Sequence, residues 1–127
     1  MTCVLVIDDE PVVRTLLQKN LEFAGFEVLT AEDGSRGLAT VRDESPDVVV
    51  LDLMMPHIDG FEVLRQLQAD DSPGVPVIVL TALSDPSVKI RCLEAGAAVV
   101  MMKPFDPAAL TSEIARLAVT ERQPRPA

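Results

Sequence analysis

The sequence predicts an α/β fold, a doubly wound five-stranded parallel sheet covered by helices on both faces. Three observations carry this: five short runs rich in Val, Ile and Leu, helical apolar spacing between them, and capping or turn residues at the junctions. The runs are Cys3–Ile7, Phe26–Thr30, Asp47–Leu51, Pro76–Leu80 and Ala98–Met102. Short β-branched runs between turn residues favour strands over helices. In the first intervening segment Val13, Leu16, Leu17, Asn20, Leu21 and Ala24 follow a 3,4 spacing, with Asn20 the polar exception. Similar stripes carry Leu38 and Val41, then Val63, Leu64 and Leu67, then Leu110, Ile114 and Leu117. Helix starts are marked by Asp85-Pro86, by Asp106-Pro107 and by Pro11 after an acidic run, and Gly25 and Gly96 supply stops.

The first, third and fourth runs are the most apolar and belong at the centre of the sheet. The second, with Glu27 and Thr30, and the fifth suit its edges. With right-handed crossovers, a strand order of 2-1-3-4-5 satisfies this and puts a switch point between the first and third strands.

A chain of 127 residues holds one domain, here residues 1–120, with 121–127 (ERQPRPA) expected as a tail or linker stub. Its 48% hydrophobic and 24% charged content is that of a globular protein. The formal charge of −9 repels phosphate backbones and anionic lipid, so neither nucleic acid nor membrane is expected to bind this domain directly. The apolar runs fall far short of the ~20 residues a bilayer span needs. With no secretory signal, a cytoplasmic location is expected, and Cys3 and Cys92 read as buried, reduced thiols.

The predicted topology collects Asp8, Asp9 and Glu10 from the end of the first strand, Asp52 from the third, Thr81 from the fourth and Lys103 from the fifth. Taken singly, Asp8 to Glu10 could favour a helix start, Thr81 cap a turn and Lys103 face solvent. Asp52 has no such private reason, because it follows four apolar strand residues and would face Asp8 and Asp9 across adjacent strands. Carboxylates so close must take up a proton or bind a cation, and Mg²⁺ suits an oxygen-only set, with Mn²⁺ an acceptable substitute. A carboxylate beside Mg²⁺ can attack an activated phosphoryl group while Lys103 balances its charge and Thr81 donates a hydrogen bond, giving an aspartyl phosphate on Asp52. There is no P-loop and no GxGxxG to cradle a nucleotide. His57 has no nucleophile in an evident elbow and reads as a loop residue.

Four segments, VLVIDDE, VVVLDLMMPHIDG, VIVLTA and MMKPF, then carry a family signature in order along nearly the whole chain. Together they resemble the receiver domain of two-component response regulators, a flavodoxin-like (βα)5 fold. The resemblance implies Asp52 as phosphoacceptor, Asp9 and Asp52 as direct Mg²⁺ ligands, Asp8 on the metal's waters and the Met54 carbonyl as a further ligand. It implies Lys103 on the phosphoryl group, Thr81 turning towards it, and a cis Lys103-Pro104 peptide. The implied donor is a phosphohistidine of a histidine kinase or phosphotransfer protein, with the domain catalysing only its own phosphorylation and dephosphorylation.

Three departures bear on behaviour. Val100 stands three before the lysine, where the family often has Tyr or Phe, so aromatic switching is expected to be absent. The face of fourth helix, fifth strand and fifth helix around Val100 becomes an apolar surface for a partner or for self-association. Met54 and Leu83, apolar where some members position attacking water, predict a long-lived phosphoryl group. The chain also ends soon after the fifth helix, which suits either a stand-alone receiver or one followed by an effector. Among rival readings, a Mg²⁺-dependent phosphatase lacks a second carboxylate two residues after Asp52, and a flavin domain lacks Trp or Tyr for stacking. A phosphorylation-independent interaction module is a third, against which the full set of five residues argues.

Overall fold

Continuous apolar runs are stable as strands only where both sheet faces are covered, and the chain meets this by alternating strand with helix. The computed structural model describes residues 1–53, 60–69, 74–82 and 85–121. In chain order the elements are β1 (Cys3–Ile7), α1 (Pro11–Phe23), β2 (Glu27–Ala31), α2 (Gly34–Glu44), β3 (Val48–Asp52), α3 (Gly60–Ala69), β4 (Val77–Thr81), α4 (Pro86–Glu94), β5 (Val99–Met102) and α5 (Pro107–Glu121). All pairings are parallel and the order is β2-β1-β3-β4-β5, as predicted. Several boundaries shift by one residue. Asp52 and Thr81 end β3 and β4 rather than following them, because the ladder continues through Leu53 N–H to Leu80 C=O and Lys103 N–H to Thr81 C=O.

Alternate strand residues serve opposite layers. Leu5, Ile7, Val49, Leu51, Val77 and Val79 pack towards α2, α3 and α4, where Val63, Leu64 and Leu67 are buried. Val4, Val6, Val48, Val50, Ile78 and Leu80 pack against Leu17 and Leu21 of α1 and Leu110, Ile114 and Leu117 of α5. The α1 stripe is narrower than its spacing suggests. Only Val13, Leu17 and Leu21 meet the sheet, while Leu16 is 59% exposed and Asn20 and Ala24 also face outward. A spacing pattern marks apolar positions but not how wide a stripe the sheet can cover.

The helix ends follow local chemistry. Asp85 and Asp106 accept from the N–H groups of Ser87 and Ala108, behind Pro86 and Pro107. Gly25 and Gly96 end α1 and α4 at φ +99° and +112°, a region that suits glycine. The Lys103-Pro104 peptide is cis, as the resemblance implies.

Cys92 is fully buried, whereas Cys3 is only half-buried, and burial raises both thiols above their ordinary range. Val100 also differs from expectation. Its side chain is half-buried against the α2/α3/α4 core, so the exposed apolar residues of that face are Ile90, Leu93 and Met102 instead. Arg91 of α4 stacks over the Phe61 ring of α3 at 4.0 Å from its centroid, bridging two helices of that layer.

Ile114 is fully buried between α5 and the sheet. Ile114→Ala is expected to cost about 2–5 kcal/mol of stability, read by urea unfolding followed by far-ultraviolet circular dichroism.

Candidate functional site

The register that pairs Ile7 with Leu51 brings Asp8 beside Asp52 at the carboxyl ends of β1 and β3. Asp8 and Asp52 are almost fully buried and Asp9 is half-buried. One carboxylate oxygen from each lies within 4.8 Å of the other two. Thr81, also buried, stands at the end of β4, and its carbonyl accepts from Lys103 N–H at 2.8 Å, which ties the two strand ends together. Lys103 Nζ lies 3.4 Å from Asp52 Oδ1, with its side chain 29% exposed. Asp8, Asp9, Asp52, Thr81 and Lys103 therefore meet at one rim, while Glu10 is exposed and outside the carboxylate cluster. Met54, Leu83 and His57 lie outside the described residues.

The turn after β1 is tightly held. Asp8 N–H donates to Ala31 C=O, Glu10 N–H donates to Asp8 Oδ1 at 2.9 Å, and Arg14 Nη1 donates to the Asp8 carbonyl at 2.8 Å. Two oxygens stay unsatisfied. Asp8 Oδ2 and Asp9 Oδ1 are buried with no hydrogen-bond partner among the described residues. Buried anionic oxygens without donors call for a proton or a cation. Burial accordingly pushes the Asp8 carboxyl up to about 6, opposed by the Glu10 N–H bond, raised further by Asp52 and Asp9, and moderated by Lys103. Three clustered carboxylates, two of them with a buried oxygen lacking a donor, fit a hard divalent cation.

Arg14 is the contact that sequence reasoning missed. Its signal was a cation early in α1, where the positive end of the helix dipole disfavours one.

A parallel open sheet with an acidic crevice at its switch point defines a class of α/β domains that bind ligands beyond the strand ends. Within that class, residues 4–115 match the response regulator receiver domain, and the chain belongs to this family of two-component signalling domains. A probable transcriptional regulator, ycf27 of Porphyridium aerugineum, is 45% identical over 111 residues, covering 87% of this chain and 45% of its own. The DNA-binding dual master transcriptional regulator RpaA of Synechocystis sp. is 40% identical over 129 residues, covering 100% of this chain and 54% of its own. The chain thus spans about half the length of the curated relatives it matches. Among solved structures, a Francisella response regulator receiver domain superposes with a TM-score of 0.87 at 31% identity, over 93% of this chain and 97% of its own. The chemotaxis protein CheY4 of Vibrio cholerae gives 0.85 at 32% identity, over 92% and 98%. Among the described residues no helix is long and apolar enough to cross a membrane.

The raised Asp8 carboxyl has a consequence for the metal-free protein. The folded state holds a proton between the ordinary value of 3.8 and about 6 that the unfolded chain releases, so this group's contribution is complete below the lower value. It is lost as pH rises through the upper one. Asp8→Asn keeps an acceptor for Glu10 N–H and removes the ionisation. In the presence of a chelator it is expected to exceed the natural chain's stability near neutral pH by on the order of 2–3 kcal/mol. The difference should close near pH 4 in paired denaturant titrations.

Proposed function

We propose that this receiver accepts a phosphoryl group on Asp52 from a phosphohistidine of a histidine kinase or phosphotransfer protein in the cytoplasm. The observation that supports it is the Lys103 ammonium 3.4 Å from Asp52 Oδ1, at a rim where buried carboxylate oxygens stand without donors. Asp8, Asp9 and Asp52 would hold Mg²⁺, or Mn²⁺ in its place, with the Met54 carbonyl implied as a further ligand. When bound, such a cation neutralises charge on the phosphoryl oxygens.

Asp52 supplies the attacking oxygen. A bond forms from that oxygen to phosphorus as the phosphorus–nitrogen bond of the donor imidazole breaks, and the electron pair leaves with the imidazole nitrogen, which takes up a proton. Burial beneath the strand ends keeps bulk water from Asp52 and strengthens its interaction with Lys103. Lys103 balances the carboxylate before transfer and the phosphoryl oxygens afterwards. Thr81, on the strand next to β3, donates its hydroxyl to the new phosphoryl oxygen and so couples charge at Asp52 to β4 and α4. The output is switched binding of a protein partner, or self-association, through the α4, β5 and α5 face, where Ile90, Leu93 and Met102 are exposed. A charge of −9 argues against direct DNA contact by this domain, DNA binding being named for the RpaA relative, of which this chain covers 54%.

The test is intact-protein mass after incubation with a small-molecule phosphodonor, with and without Mg²⁺, beside Asp52→Asn. One phosphoryl group is expected on the natural chain with Mg²⁺ and none on the variant or with chelator. Addition to Asp52→Asn, or addition indifferent to Mg²⁺, contradicts the proposal.

A further inference from the structure

Helix α1 begins directly after the carboxylates of the rim, yet its start is not fastened as other starts are. Asp33 and Asp85 cap α2 and α4 through their side chains, whereas Glu10 at the cap of α1 makes no such bond. The chain from Asp8 to Pro11 must therefore be fixed from elsewhere. Asp8 N–H is held by the sheet, and Glu10 N–H leans on Asp8 Oδ1. The Asp8 carbonyl, just beyond the last residue of β1, is held by Arg14 Nη1 at 2.8 Å, reaching back from α1.

That carbonyl belongs to the peptide plane joining Asp8 to Asp9. Holding its oxygen fixes the plane and the N–Cα bond of Asp9, leaving only rotation about that bond to set where the Asp9 side chain leaves the backbone. One half-buried guanidinium thus orients a peptide that carries two of the three clustered carboxylates. Its charge works the other way, because a permanent cation near the rim repels a divalent one.

We propose that Arg14 is a positioning residue of the cation site, holding the Asp8 carbonyl so that the Asp8 and Asp9 carboxylates converge with Asp52. This rests on the reading of those three residues as a divalent cation site. Charge and geometry predict opposite signs. If Arg14 acted only through its charge, removing it would tighten Mg²⁺ binding; if it positions the turn, removal weakens it.

Calorimetric titration of Mg²⁺ into the unphosphorylated protein separates the two. Arg14→Met keeps the aliphatic stem without a donor and is expected to bind Mg²⁺ about tenfold more weakly, as loss of an orienting partner does at metal sites. Arg14→Lys, with a rotatable ammonium on a flexible stem, is expected to stay within about threefold of the natural chain. Leu21→Ala, a destabilising change at the far end of the same helix, is expected to lower the melting temperature and leave Mg²⁺ affinity unchanged. Equal or tighter binding by Arg14→Met overturns the proposal, as does an equal loss in Leu21→Ala, which would make the effect one of stability. Where Arg14→Met does not fold, Arg14→Gln, too short to span the gap, is read by the same criterion. A natural chain that binds no Mg²⁺ removes the cation-site reading and the proposal together, whereas normal binding with indifferent Arg14 variants removes the proposal alone.

Discussion

Neighbouring parallel strands stand about 4.8 Å apart, and the register of β1 against β3 leaves Asp8 and Asp52 no freedom to separate. In water, two carboxylates would drift apart or stay solvated. Here the sheet holds them, buries them and adds Asp9 beside them, with Lys103 the nearby cation on Asp52. The resulting excess of negative charge is the constraint from which the chemistry of the domain follows. Such an excess favours whatever supplies positive charge, whether a bound proton or a cation.

Such a concentration of charge opposes folding, and the remainder of the chain offsets it. Two apolar layers, one on each face, clamp β1, β3 and β4 with side chains almost wholly removed from water. Because the strands carry buried residues on both sides, the sheet cannot slide by one residue without exchanging its two cores. The same rigidity that keeps the apolar layers in place keeps the acidic ends in place. The short turn after β1 then needs only to adjust direction, which is the work of the hydrogen bonds around Asp8.

Much of this was legible in the sequence because central parallel strands are continuous apolar runs and their ends are abrupt. Asp8, Asp52, Thr81 and Lys103 could be placed at one rim from strand order alone. Strand limits were less legible, since hydrogen bonding carries β3 and β4 one residue past the last apolar side chain, through Asp52 and Thr81. Leu16 and Val100 show a second limit. Apolarity gives no depth, and Leu16 faces outward while Val100 packs against the core. Arg14 shows a third, because a cation early in α1 marks the residue as unusual but does not say that its side chain bonds a backbone carbonyl six residues earlier.

Cys92 is the one fully buried side chain described on α4, a helix whose neighbours in sequence, Arg91 and Leu93, face outward. A thiol so enclosed, with its ionisation held back by burial, reacts with an alkylating reagent only when the helix lifts from the sheet. The half-buried Cys3, at the opposite end of the strands from the rim, supplies an internal reference on the same molecule. In a protein without Trp or Tyr, the ratio of the two labelling rates becomes a native chronometer for α4 excursions, needing no introduced probe.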